Sequence, residues 1–554
     1  MAQRHFFSRE LFLYFLILLL AFGLRFASLG AIPLNEFEAS SALPAAQLAG
    51  GAQPSLGAQP AYVLLTSLLF GLIGSGEFLA RLWPAMFGLA LVLLPYFWRD
   101  LLGPRTALVL AFLLAVDPGL VALSRLASGS MLAVAAALLA LTAWRFRRLA
   151  LAGAMAAVAL LSAPLIYIGV TAAILAWATQ RSAVSVDRVA LRTAGLLFLA
   201  TALLGGTLLF RVPQGISGLG QVFSYVLTGL PGFPGASPFT VLFALLGYAF
   251  PAVVFGGLGA LRAWRQVEPI GRMLSLFAGF VLLLIILNPS RQVADLVWVA
   301  LPLWTLTAFE IVRFLRVPKE EPVAAIGEAS LMLLLAAFLV PTLARIANQP
   351  GIAVYVNVAL FVIGIAALAT ALIALGWSRR SAFQGMVWAL ALISALFLLS
   401  ASSRFSRIET TVANELWSPG SAAGQLGIML ITLGDLSYWA QGQPGALPVD
   451  VRADSAALRF ALRNYDLAGT TSIVPALAIT MAEAGSPAEL SAYRGQSFAL
   501  STQRVWEGWP PNFFAWLLFR QAPITTTQSI LWVDAELFAD AGFGDETAPE
   551  GSTP

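Results

Sequence analysis

A chain of 554 residues that is 59% hydrophobic and 11% charged, with a mean hydropathy of +0.84, is no ordinary soluble protein, since soluble domains carry roughly 25% charged residues. Its net charge of +4 is spread without a clustered basic face, which excludes nucleic-acid binding, and the absence of cysteine excludes disulfide frameworks and thiolate metal sites. The single histidine, His5, precedes the first apolar run, so imidazole catalysis beyond that run is excluded as well.

Hydrophobic blocks long enough to cross a bilayer, whose core of about 30 Å takes about 20 helical residues, recur from Leu11 to Leu399. In chain order they predict about thirteen transmembrane helices, at 11–29, 82–98, 105–122, 130–144, 149–163, 165–179, 193–210, 239–261, 273–288, 294–312, 326–344, 352–375 and 384–401. The first follows Arg4 and Arg9 and lacks a small-residue cleavage site, so it reads as a retained anchor.

Positive charge stays on the cytoplasmic side and so orients the set. One side holds Arg4, Arg9, Arg99, Arg105, Arg145, Arg147, Arg148, Arg181, Arg188, Arg192, Arg262, Arg265, Arg272, Arg313, Arg316, Lys319, Arg379 and Arg380, eighteen cations in all. Apart from the C-terminal tail, the other side holds six: Arg25, Arg81, Arg125, Arg211, Arg291 and Arg345. The asymmetry predicts a cytoplasmic N-terminus and an external C-terminus.

Within the membrane domain, 1–401, one long outward loop is expected at 30–81, where the apolar run Ala61–Leu72 reads as an interfacial helix; as a crossing it would reverse every later loop. The tail shifts to fifteen acidic residues and reads as a separate domain at 402–542, followed by a disordered end at 543–554. Helical patterns at 422–441 and 454–465 alternate with strand-like runs at 446–451, 472–480, 497–505 and 529–533, the pattern of a small α/β unit. The expected architecture is an α-helical polytopic membrane protein, N-in and C-out, with a small C-terminal α/β extracytoplasmic domain. No internal repeat is evident, which argues against a transporter of inverted halves.

Three outward segments carry candidate chemistry. The first is Pro33-Leu34-Asn35-Glu36-Phe37-Glu38-Ala39, directly after the first helix. A carboxylate there could deprotonate an acceptor hydroxyl or hold a divalent cation; alternatively Glu36 and Glu38 are solvated, or one caps the helix beginning near Ala39. The second is Asp117-Pro118-Gly119, followed by Ser124-Arg125 and Ser128-Gly129-Ser130, where Asp117 and Arg125 either pair with each other or face an aqueous cavity. The third is Asn288-Pro289-Ser290-Arg291-Gln292 with Asp295, where Arg291 clamps a lipid phosphate or snorkels to headgroups. Glu77, Arg81 and Arg211 belong to the same rim. Trp506, Trp509, Trp516 and Trp532 in the tail could stack on sugars, or pack in a core or against the membrane surface.

In order and kind, these pieces resemble the GT-C superfamily of membrane glycosyltransferases, especially the branch of protein mannosyltransferases and aminoarabinose transferases. The matching parts are the acidic motif after the first helix, the run Ala61–Leu72, the segment from Gly74 to Pro84, the stretch from Asp117-Pro118 to Arg125, and in the tail Tyr493-Arg494-Gly495-Gln496 and the segment from Phe514 to Arg520. The resemblance implies transfer of a sugar from a polyprenyl-phosphate donor to a protein, glycan or lipid acceptor on the outer face of the plasma membrane. Glu36 or Glu38 would activate the acceptor, and Arg291 with Arg125 or Arg211 would stabilise the departing phosphate. The family's Asp-Glu pair is incomplete here, since Asn35-Glu36 or Phe37-Glu38 stands in its place, and Ser130 occupies the position of a second acid. No cofactor is therefore expected, a divalent metal being the alternative. A glycolipid transporter and a catalytically inactive scaffold are the competing functions.

Overall fold

The computed structural model describes residues 9–180, 188–229, 232–315, 322–348, 353–406, 413–417, 420–466, 476–482 and 492–537. The expected disordered end, together with His5, lies outside them. Two compact units are present. One comprises Met1–Ala31, Pro44–Pro419 and Val505–Pro523, and the other Ile32–Leu43, Gly420–Arg504 and Ile524–Pro554. The single boundary expected at residue 402 is therefore replaced by an exchange of segments, with 32–43 grouped with the sheet unit and 505–523 with the helical one.

The helical unit begins with α1 (Arg9–Phe26); α2 (Glu36–Ala49) starts in the other unit and ends in this one. Then come α3 (Pro60–Ile73), α4 (Glu77–Phe97), the single turn α5 (Arg99–Leu102), α6 (Pro104–Val116), α7 (Pro118–Arg125), α8 (Ser130–Arg145), α9 (Leu149–Ser162), α10 (Leu165–Gln180) and α11 (Arg188–Ala200), which continues as a π-turn over Thr201–Gly205. After α12 (Gln214–Thr228) follow α13 (Pro238–Gln266), α14 (Pro269–Leu287), α15 (Val297–Phe314), α16 (Pro322–Asn348), α17 (Ala353–Gly376) and α18 (Arg379–Ser406).

Each of the thirteen expected spans coincides with a helix, but among the described residues eight are long and apolar enough to cross, or nine if the bent pair α6 and α7 counts as one. The thirteen expected crossings thus outnumber the helices that reach crossing length and apolarity among the described residues. Helices α8, α9 and α10 have only 14–16 residues, which at 1.5 Å per residue is about 21–24 Å against a hydrocarbon core of about 30 Å. Helix α1 has 18 residues but carries Arg9, Glu10 and Arg25. Helix α3 has 14 residues and packs on α4, with Tyr62 donating to the Ala80 carbonyl (2.9 Å) and Trp83 to the Leu65 carbonyl (3.1 Å), while Leu68, Leu72 and Ile73 stay exposed. At 14 residues, about 21 Å, α3 is short of a bilayer core, and its exposed face is as apolar as its buried one.

Glycine sets the closest helix contacts. A Cβ at Gly129 would lie 1.9 Å from the Ser162 carbonyl oxygen, and one at Gly153 2.3 Å from the Ala194 carbonyl oxygen, so these helices approach at backbone distance. Helix α13 breaks at Ala249, two residues before Pro251, which has no N–H for the ladder.

In the second unit, a five-stranded sheet has the order β1-β4-β5-β3-β2, with β1 (Ala422–Ala423), β2 (Val449–Val451), β3 (Leu477–Met481), β4 (Tyr493–Arg504) and β5 (Ile524–Asp534). All pairs are antiparallel except β2 with β3. Helices α19 (Leu426–Gln441) and α20 (Ala456–Ala461) belong to this unit, and α21 (Phe513–Phe519) lies in the 505–523 excursion between β4 and β5. The four strand-like runs and two helical patterns of the sequence match β2 to β5 and α19 to α20; β1 was too short to read.

Candidate functional site

In the sheet unit, the acidic motif is tied to helix ends. Asn35 caps α2: its Oδ1 accepts from the Glu38 N–H at 2.9 Å, while Glu38 Oε2 accepts from the Asn35 N–H at 3.2 Å, a reciprocal capping box. Glu38 and Asn35 are both buried. Glu36 reaches α20, where its carboxylate accepts from the Ser455 hydroxyl (2.7 Å) and from the N–H groups of Ala456 (2.6 Å) and Ala457 (3.2 Å). A carboxylate on the N-terminus of a helix is held by both charge and hydrogen bonds. Of the roles weighed for these two acids, bulk solvation is corrected, because each has hydrogen-bond partners in the fold.

In the helical unit, the chemistry gathers where α6 gives way to α7 with a bend of 55°. Pro118 has no N–H, so the ladder that would satisfy the Leu114 carbonyl stops there. Arg25, fully buried on α1, takes over: its guanidinium donates to the carbonyls of Leu114 and Ala115, both at 3.0 Å. Asp117 caps α7 by accepting from the Leu120 N–H at 2.7 Å, and accepts from the indole N–H of Trp304 at 2.7 Å. Both carboxylate oxygens of Asp117 are therefore engaged by Leu120 and Trp304, in place of the expected pairing with Arg125. Arg125 instead donates to the carbonyls of Leu24 and Arg25, at 3.2 and 3.0 Å. Two serines of α18 complete the junction, Ser402 donating to the Val116 carbonyl and Ser406 to that of Leu24. Gly88 leaves the room, since a Cβ there would lie 2.0 Å from Ser124 Oγ and 3.2 Å from Arg25 Nε.

The remaining rim residues are spread over other junctions of the same unit. Arg81 is buried and donates to the Leu29 carbonyl at 3.0 Å; Glu77 stands in the first turn of α4. Ser130 opens α8, next to Gly129, whose N–H donates to Gln59 Oε1 at 2.6 Å. Arg291 donates to the carbonyls of Ile285, Ala236 and Ile286 at 3.1–3.2 Å, and Asp295 closes a capping box with Gln292. Arg211 is exposed beyond the left-handed turn Leu208–Phe210. The structure thus brings Asp117 and Arg125 into one junction with Arg25, and places Arg291 with Asp295 in another.

Sequence reading passed over Arg25 as a mere helix-end cation; a lone arginine inside an apolar run was the signal available. It also missed a second buried cluster. Arg520 (2% exposed) pairs with Glu415 (5%) at 3.0 Å and stacks 3.9 Å over Trp516 and 4.8 Å over Tyr248, whose hydroxyl also donates to Glu415. Trp506 and Trp516 are buried in this cluster beside Phe243, so the tail tryptophans at these positions serve as packing; Trp509 is exposed. Trp532 lies on β5, donating to Thr480.

A bundle of this kind, with a carboxylate-bearing segment after its first helix and a small mixed-sheet unit, defines a multi-pass helical membrane protein. The particular likeness is to ArnT, an aminoarabinose transferase of that class. The crystal structure of ArnT from Cupriavidus metallidurans in the apo state shares 16% identity, covers 95% of this chain and 98% of that one, and gives a TM-score of 0.54. The same protein bound to undecaprenyl phosphate shares 17% identity over 85% of this chain and 93% of that one, with a TM-score of 0.50. At such identity the likeness is one of fold. No family model and no curated protein matches the sequence.

Proposed function

We propose that this chain takes a sugar from a polyprenyl-phosphate donor and transfers it to a protein, glycan or lipid acceptor on the external face of the plasma membrane, with the sheet unit external. The observation that carries the reading is the fold shared with ArnT across nearly the whole length of both chains, one of whose structures is bound to undecaprenyl phosphate. In this reading Glu36 or Glu38 removes the proton of the acceptor hydroxyl as the C–O bond to the carrier phosphate breaks. Arg125, Arg211 and Arg291 stabilise the phosphate that leaves, each guanidinium having five N–H donors, so that backbone bonds such as those of Arg291 leave further donors for an anion. Asn35, Glu77, Arg81, Asp117, Ser130 and Asp295 shape the rim.

The test uses the full chain in liposomes with labelled polyprenyl-phosphate mannose and aminoarabinose, following sugar release. Glutamine at position 38 still accepts a hydrogen bond from the Asn35 N–H, so Glu38→Gln keeps the capping box while removing a base. A loss of 100-fold or more is expected from Glu38→Gln or from Glu36→Gln; unchanged turnover in both would remove the two acids from catalysis. For comparison, Asn35→Ala breaks the box and is expected to lower stability by about 1 kcal/mol, seen as earlier unfolding in denaturant.

A second reading is favoured by one observation, that both acids are already engaged at helix ends. On that reading the chain keeps the fold and the carrier-lipid affinity but transfers nothing. Binding of labelled carrier without sugar release from the wild type, for either sugar, would select it.

A further inference from the structure

Among α4, α6, α8, α9, α10, α14 and α15 lies a cavity of about 970 Å³, whose α6 wall runs as far as Leu114. Its walls are aliphatic and aromatic, with Leu94, Leu138, Ala156, Ala173 and Phe277 among them, and no charged residue lines it. The polar side chains that do reach it are satisfied within the protein. Thr142 and Thr305 donate to the Leu138 and Leu301 carbonyls, Trp98 donates to Thr142 Oγ1 at 2.9 Å, and Trp298 to the Leu165 carbonyl at 3.0 Å. Such a surface has nothing to offer a sugar or a nucleotide, and water gains no partners in an apolar cavity. Inside a bilayer the matter that fits is hydrocarbon.

One end of the cavity is marked by charge. Trp98 lines it, and the guanidinium of Arg145 sits 4.9 Å over the Trp98 ring, paired with Asp100, with its Nη1 lacking an acceptor. Arg99 and Arg105 stand at the same helix ends, on the cation-rich side of the bundle. Arg99 pairs with Glu10 at 3.5 Å and Arg145 with Asp100, so with Arg105 the end keeps a net positive charge, opposite to that of an anionic headgroup. At about 970 Å³ the cavity is far larger than a single water needs, so acyl chains have room in it.

We propose that this cavity is a binding site for one anionic diacyl phospholipid from the leaflet on the Arg145 side, its acyl chains between α8, α9, α10 and α14 and its phosphate at Arg145. The proposal does not rest on the transferase reading. The test extracts the full chain into lipid-preserving polymer discs, exchanges it into detergent and quantifies retained lipid by mass spectrometry. About one phospholipid per chain is expected, falling at least fivefold in the cavity-filling variant Ala156→Trp/Ala173→Trp; Arg145→Gln is expected to keep the lipid but lose the preference for anionic headgroups. A second measurement needs no variant: the wild type in liposomes holding a phospholipid with a mid-chain diazirine is irradiated, and labelled peptides are expected to include Ala156 and Ala173. No retained phospholipid, retention unaffected by filling, polyprenyl phosphate as the retained lipid, or labelling confined to outward residues such as Leu334 and Phe361 would each overturn the proposal.

Discussion

Replacing Arg520 by alanine is expected to destabilise the helical unit by about 3–5 kcal/mol, the usual cost of leaving one member of a buried ion pair without its partner. Arg520 and Glu415 are 2% and 5% exposed, and the guanidinium does several things at once. It donates to Glu415, donates to the Trp516 carbonyl at 3.1 Å, and fills the space between the rings of Tyr248 and Trp516. Asn414 adds bonds to the Arg520 and Ala522 carbonyls, and Trp516 donates to the Asn414 carbonyl. The excursion 505–523 is thereby fixed to the segment 413–417 and to α13. Alanine in place of Arg520 leaves the Glu415 carboxylate buried with Tyr248 as its remaining side-chain donor. The paired change Arg520→Leu/Glu415→Leu, which removes both charges, is expected to cost less than Arg520→Ala alone. Pulse proteolysis of the detergent-solubilised chain across a denaturant series reads both. An Arg520→Ala protein as resistant as wild type would show that the pair contributes nothing to the docking of this excursion.

The second large effect is expected at Asp117. Asp117→Ala removes the cap of α7, the acceptor of the buried Trp304 indole and the counter-charge of Arg25 together, for an expected loss of about 3–5 kcal/mol. Asp117→Asn keeps an oxygen for both hydrogen bonds and gives up only the charge, so it should fall between the alanine variant and wild type. Arg25→Met is expected to match the alanine variant, because it strips the donors from the Leu114 and Ala115 carbonyls at the break. The same proteolysis series ranks the three. Equal behaviour of Asp117→Asn and Asp117→Ala would mean that charge dominates, and a silent Arg25→Met would mean that the break at Pro118 is satisfied by other groups.

Much of this protein could be read without coordinates. A run of some 20 apolar residues has few alternatives to a helix in lipid, since backbone N–H and C=O groups must be paired inside the segment. For that reason each expected span met a helix. The α/β character of the tail was legible for the same kind of reason, because the alternation within β4 and β5 and the helical pattern of α19 are local. Span number was less legible. Composition alone does not separate a helix that crosses from one of 14–16 residues such as α8 to α10, whose apolar surface is buried against neighbours.

What the sequence determined by itself was therefore class: a multi-pass helical membrane protein. The partners of its charges were settled only by tertiary structure. Glu36 is spent on α20, some 420 residues away in the chain, Arg25 on carbonyls about 90 residues away, and Arg520 on Glu415 about 105 residues away. Hydropathy is a sum over neighbours in sequence and survives without a fold, whereas a hydrogen bond or ion pair exists only at about 3 Å, a distance set by the packing of elements remote along the chain.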